Sequence, residues 1–135
     1  MTIDVTFMLN AHFGLFLLLV VVTIIALLVT LRSLLRSGAG ALNRVVMLIY
    51  RIVFILQWLA GLALLIMLSA TSGWPLYRLE HALTMTVAVI LTHLFGGRRN
   101  SRPLTSLIVL LVTSALVAVA YLRLEEARAG LGAVT

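Results

Sequence analysis

Long runs of leucine, valine, isoleucine and alanine fill this chain, interrupted at three places by short polar or glycine-rich stretches. The runs predict four helices, at about residues 8–34, 42–70, 76–95 and 104–124. Each is close to the roughly 20 residues that an α-helix needs to cross about 30 Å of hydrocarbon. The interruptions are Ser37-Gly38-Ala39-Gly40, Thr71-Ser72-Gly73-Trp74-Pro75 and Gly96-Gly97 with the arginines that follow. They are rich in helix-breaking residues and too short for anything but tight connections. Neighbouring helices are therefore expected to be antiparallel, giving one all-α domain over residues 1–135, a four-helix transmembrane bundle of up-down-up-down topology. Asn43 is a candidate cap for the second helix, Pro75 opens the third where its missing N–H does no harm, and the tail after Glu126 is expected to fray.

Within each apolar run the few polar and small residues recur on one side. At about 100° per residue, His12, Thr23, Ala26 and Thr30 share a face of the first helix. His81, Met85, Ala88 and Thr92 share a face of the third, and Tyr50, Gln57 and Gly61 group on the second. Ser106, Thr113 and Ala120 recur every seven positions on the fourth. Small residues let helix backbones approach and hydroxyls or amides avoid lipid, so these stripes are the expected contacts. Gln57, near mid-membrane, needs a partner; another helix is the commoner answer, a quinone or pigment carbonyl the alternative.

Composition supports membrane insertion: 63% of the 135 residues are hydrophobic and 10% charged, with a mean hydropathy of +1.21. A net charge of +6 made of arginine alone could suggest nucleic acid, but its placement excludes that reading. Arg32, Arg36, Arg44 and Arg51 surround the first connection and Arg98, Arg99 and Arg102 fill the third, with no acid among them. Both connections read as cytoplasmic. Asp4, Arg78, Glu80, Arg123, Glu125, Glu126 and Arg128 lie at the opposite end, so both termini are expected to be non-cytoplasmic, in a bacterial inner membrane. Trp74 and Tyr77 suit an interfacial aromatic belt there. The first run follows Asp4 instead of a basic segment and is long for a signal peptide, so it is expected to remain as a span. Cysteine is absent, which excludes thiol chemistry.

The three histidines carry the candidate chemistry. His12 and His81 sit near the same end of parallel helices, so their rings could lie at one depth. Histidines from facing helices commonly hold a haem iron in a bundle core. Arg78, three residues before His81, could meet haem propionates. Against this, His12 could touch headgroups and His81 could bond Glu80 or a neighbouring helix. His93 lies twelve residues beyond His81, about 18 Å further along the helix and about 120° around it, so it cannot share that iron. It reads as an interfacial, snorkelling residue. Glu80 could orient His81 or form an exposed pair with Arg78.

Phosphate-binding loops, dinucleotide fingerprints, HExxH and mid-membrane carboxylate pairs are all missing, so no catalytic activity of the chain's own is expected. No charged or broken mid-membrane segment marks a transport path. Two functions are left: a haem-bearing electron-transfer subunit, and a non-catalytic accessory subunit of a larger respiratory or photosynthetic complex. The cofactors to weigh are haem b first, then bacteriochlorophyll or quinone; the partners are the lipid bilayer and other membrane subunits.

His12-Phe13-Gly14, Gln57 with Gly61, and Glu80-His81 followed by Thr84-Met85 give the chain a resemblance to small bacterial four-helix membrane proteins described as cytochrome b-like. The resemblance covers all four helices and implies haem at His12 and His81. The chain departs from the group at Ile55, where the group has histidine, and at Ala82, where it has proline. If that histidine ligates iron in the group, this chain keeps the fold alone.

Overall fold

The computed structural model describes residues 4–36, 40–96 and 102–132. It contains four helices: α1 (Val5–Leu35), α2 (Ala41–Ser72), α3 (Leu76–Gly96) and α4 (Pro103–Gly132). All are long and apolar enough to cross a membrane. Each consecutive pair packs together and α4 closes the ring against α1. The start of α1, the end of α4 and the α2–α3 turn therefore lie at one end of the bundle, and the end of α1, the start of α2, the end of α3 and the start of α4 at the other. The turn expected at residues 37–39, and Gly97, Arg98 and Arg99, lie outside the described residues.

The helix ends differ from expectation where local capping decides. α1 begins three residues before Met8 because Asp4 caps it, its carboxylate accepting the Thr6 N–H at 3.0 Å. This satisfies one of the free donors of the first turn. α2 ends at Gly73, whose φ of 77° lies in the left-handed region that favours glycine, and whose N–H donates to the Ser69 carbonyl at 3.0 Å. Asn43 is not a cap. It is buried inside α2, where its Oδ1 accepts the Thr30 hydroxyl of α1 at 2.8 Å. α4 does not stop at Leu124 or fray after Glu126 but continues to Gly132. The segment Glu125-Glu126-Ala127-Arg128-Ala129 consists of strong helix formers, which need no bilayer to stay helical.

The bundle is polar and small inside, apolar outside. Thr30, Thr92, Ser106 and Thr113 are completely buried, whereas Leu28, Ile66 and Leu83 are more than half exposed. Burying those side chains is what would stabilise a bundle in water; here they face the lipid. On α2, Asn43, Tyr50 and Gln57 follow one another every seven residues and all are buried. Seven residues are about two turns, or 10.5 Å, so they mark successive levels on one face. On α4, Ser106, Thr113 and Ala120 do the same. The Tyr50 hydroxyl donates to Thr113 Oγ1 at 2.7 Å, since the Thr113 hydroxyl itself donates to the Val109 carbonyl. Phe54 packs on the Tyr50 ring at 5.5 Å and is fully buried, as are Ala26 and Ala88 from the flanking helices. Met85, Ala88 and Thr92 of the expected α3 stripe and all three residues of the expected α4 stripe are buried, whereas His81 is half-buried. On α1 the interior also includes Leu19 and Val22, while Thr23 is half-buried and returns its hydroxyl to the Leu19 carbonyl.

Candidate functional site

Above Phe54, toward the end that carries the termini, the packing opens into a cavity of about 180 Å³. His12, Gln57, Trp58, Gly61, Arg78 and His81 line it together with leucines of α2 and Met85. The structure thus brings together all four residues expected to bind a cofactor. His93 is not among them; its Nδ1–H donates to the Val89 carbonyl at 2.9 Å within its own helix.

Helix geometry places both histidines at similar depth. His12 lies seven residues beyond the start of α1 and His81 five beyond the start of α3, about 10 and 8 Å along their axes. Their surroundings differ. The Nδ1–H of His81 donates to the Ala120 carbonyl of α4 at 3.1 Å. That carbonyl, the acceptor of the Leu124 N–H within α4, can take the imidazole N–H as well because a carbonyl has two lone pairs. The bond fixes the tautomer and the ring plane, and Nε2 has no protein partner among the described residues. A metal-binding imidazole is commonly held in this way.

His12 is turned toward α2. Its Nε2 lies 3.3 Å from Gln57 Nε2, so the amide N–H donates to the imidazole lone pair and the ring proton sits on Nδ1. Nδ1 is buried with no partner, and so is Gln57 Oε1. Turning the amide over exchanges the unpaired atoms without removing them. The ring edge rests on Gly61, where an added Cβ would come within 3.0 Å of His12 Cε1. Gly61 stands one turn after Gln57, so the hydrogen bond and the gap act on the same ring.

Arg78 reaches the cavity mouth, with its guanidinium donating to Ser72 Oγ at 2.8 Å and lying 5.6 Å from the Tyr77 ring centre. Glu80 is exposed. Trp58, which reads from sequence as packing, forms a wall of the site, its indole N–H donating to Thr86 at 2.9 Å. Its position beside Gln57 was the available signal. The Ala120 carbonyl that orients His81 has no signature in the sequence, because a backbone acceptor is supplied by any residue.

Among the described residues no group of three or more His, Cys, Asp or Glu could hold a metal ion. The chain is, in class, a four-helix membrane bundle with an imidazole-lined cavity near one end. No family model, curated protein or solved structure matches it.

Proposed function

We propose that this protein is a b-type cytochrome-like membrane subunit that binds haem between α1 and α3 and takes part in electron transfer. One observation carries the reading: His81, anchored through Nδ1 to Ala120, leaves Nε2 without a protein partner in a cavity that it shares with His12. His81 and His12 would hold the iron, Arg78 would meet the propionates, and Gln57 would contact His12. Bound there, haem supplies one-electron chemistry, while the chain keeps it in an apolar, water-poor setting lined by leucine.

Donor chemistry fits the group better than volume does. A cavity of about 180 Å³ is smaller than the roughly 300–1,000 Å³ of common ligand sites, so a macrocycle requires the flexible Met85 and the lining leucines to move. The same volume favours a second reading. An accessory subunit of a respiratory or photosynthetic complex could contact a single quinone ring there, through Gln57 and His12. Bacteriochlorophyll, larger than haem, suits the volume least.

The arginines at the connection end support a reading with that end in the cytoplasm and both termini outside, in a bacterial inner membrane. The test of function is an absorbance spectrum of the protein purified from haem-replete cells and reduced with dithionite. Soret and α bands that disappear in His81→Ala are expected. Their absence from the unaltered protein overturns the haem reading.

A further inference from the structure

The acids of this chain are Asp4, Glu80, Glu125 and Glu126, and all stand at the end of the bundle that carries the cavity. Among the described residues, the charges at the opposite end are all arginines: Arg32 and Arg36 at the end of α1, Arg44 and Arg51 on α2, and Arg102 before α4. Arg32, Arg36, Arg44 and Arg102 are exposed, as charges at a membrane surface usually are. Arg51 differs. It is half-buried, and its Nε is enclosed with no hydrogen-bond partner among the described residues.

Helix lengths explain the depth of Arg51. It stands ten residues after the start of α2, about 15 Å along the axis. α3 has 21 residues and ends at Gly96, so at about 30 Å it crosses the hydrocarbon with nothing to spare. The Arg51 stem passes α3 at that end, its Cδ 3.9 Å from where a β-carbon of Gly96 would stand, beside Met47 Cε at 3.5 Å and Val109 Cγ1 at 3.8 Å. Arg51 is therefore level with the hydrocarbon boundary of α3, where the headgroup region begins. Its neighbours Leu48 and Ile52 are exposed, so it lies at the edge of the bundle and within reach of lipid. The last carbonyls of α3 favour a cation here, but they amount to only about half a negative charge. Glu80, the acid of α3, is sixteen residues before Gly96, about 24 Å away. A guanidinium at this depth with no carboxylate near it calls for an acceptor from outside the chain.

We infer that Arg51 is the centre of a binding site for the phosphate of an anionic phospholipid in the leaflet at this end of the bundle. A turn about the last side-chain torsions brings Nε–H and one Nη–H to the same phosphate, a paired geometry that arginine favours and lysine cannot copy. The exposed arginines around it select a lipid of net negative charge over a zwitterionic one, whose own cation they repel. The site depends neither on the haem reading nor on which end faces the cytoplasm.

The experiment titrates the purified full chain, in a neutral detergent, with phosphatidylglycerol or with phosphatidylcholine of the same acyl chains, and counts bound lipid by native mass spectrometry. The unaltered protein is expected to bind one phosphatidylglycerol in preference to phosphatidylcholine. Arg51→Gln should weaken phosphatidylglycerol binding by about tenfold, the change that loss of a charge-assisted hydrogen bond produces. Arg51→Lys keeps the charge and removes the Nε–H; it should lose most of the preference, and it guards against a folding defect in Arg51→Gln. Arg44→Gln, which removes an exposed charge of the same sign, should have a clearly smaller effect. Inorganic phosphate at millimolar concentration should not displace the lipid. Equal binding of the two lipids, equal losses in Arg44→Gln and Arg51→Gln, or full affinity in Arg51→Lys overturns the site. Displacement by inorganic phosphate overturns the lipid as its occupant.

Discussion

Gly61→Ala separates the site's geometry from helix propensity, because the two act in opposite directions. In an ordinary helix interior the substitution stabilises by about 1 kcal/mol, since glycine costs backbone entropy. At Gly61 the new methyl would stand 3.0 Å from His12 Cε1, whereas ordinary contacts begin at 3.4 Å. The ring has to retreat by a few tenths of an ångström. Its bond to Gln57, at 3.3 Å, already lies at the long end of the range and does not survive much stretching. Losing it costs about 0.6–1.5 kcal/mol, and the added methyl costs about 1–3 kcal/mol if the site cannot relax. With the helix gain subtracted, Gly61→Ala is expected to destabilise by about 0.6–3.5 kcal/mol. The same change in a His12→Ala background meets no ring and should stabilise by about 1 kcal/mol. The assay is reversible unfolding in mixed micelles, run as a four-protein cycle and read by Trp58 fluorescence with Trp74 replaced by phenylalanine. Stabilisation by Gly61→Ala in both backgrounds would show that His12 does not rest on Gly61.

Other contacts give independent checks. Tyr50→Phe removes the 2.7 Å bond to Thr113 while Thr113 keeps its Val109 acceptor, so a loss of about 0.6–1.5 kcal/mol in the same unfolding assay is expected. A Thr30→Val and Asn43→Leu double-mutant cycle should give a coupling of about 0.6 kcal/mol and no more than about 1.7 kcal/mol; additivity would mean that the α1–α2 bond contributes nothing. Thr86→Val should change the Trp58 emission by removing its indole acceptor, and an unchanged spectrum counts against that bond. The chain contains no cysteine, so single cysteines report topology cleanly. In intact cells a membrane-impermeant thiol reagent should label Ser72→Cys and spare Gly40→Cys, and the reverse pattern would invert the proposed orientation.

Much of the fold was legible because its causes are local. Hydrophobic run length is set along one helix, so four spans and their order follow directly from the residues. Interior stripes are legible for a related reason: in lipid the inside is marked by scarce polar and small residues, and Thr92, Thr113 and Gln57 stand out against leucine and valine. The α2 stripe was the least complete, since Val46, Val53 and Leu64, like Leu19 and Val22 on α1, are interior residues indistinguishable by type from their lipid-facing neighbours. The length of α4 was underestimated because its last turns leave the apolar run while keeping high helix propensity.

The sequence by itself determined four helices long and apolar enough to cross a membrane, with His12, Arg78 and His81 near one end and Gln57 nearer the middle. Tertiary structure alone decided how they meet: His12 turns to Gln57 and Gly61, His81 to a carbonyl of α4, and Asn43 to Thr30 instead of its own helix end. Spacing along a helix gives the direction in which a side chain leaves the axis. Which partner it reaches depends on the rotation and separation of the neighbouring helix, and those are set by the packing of all four together.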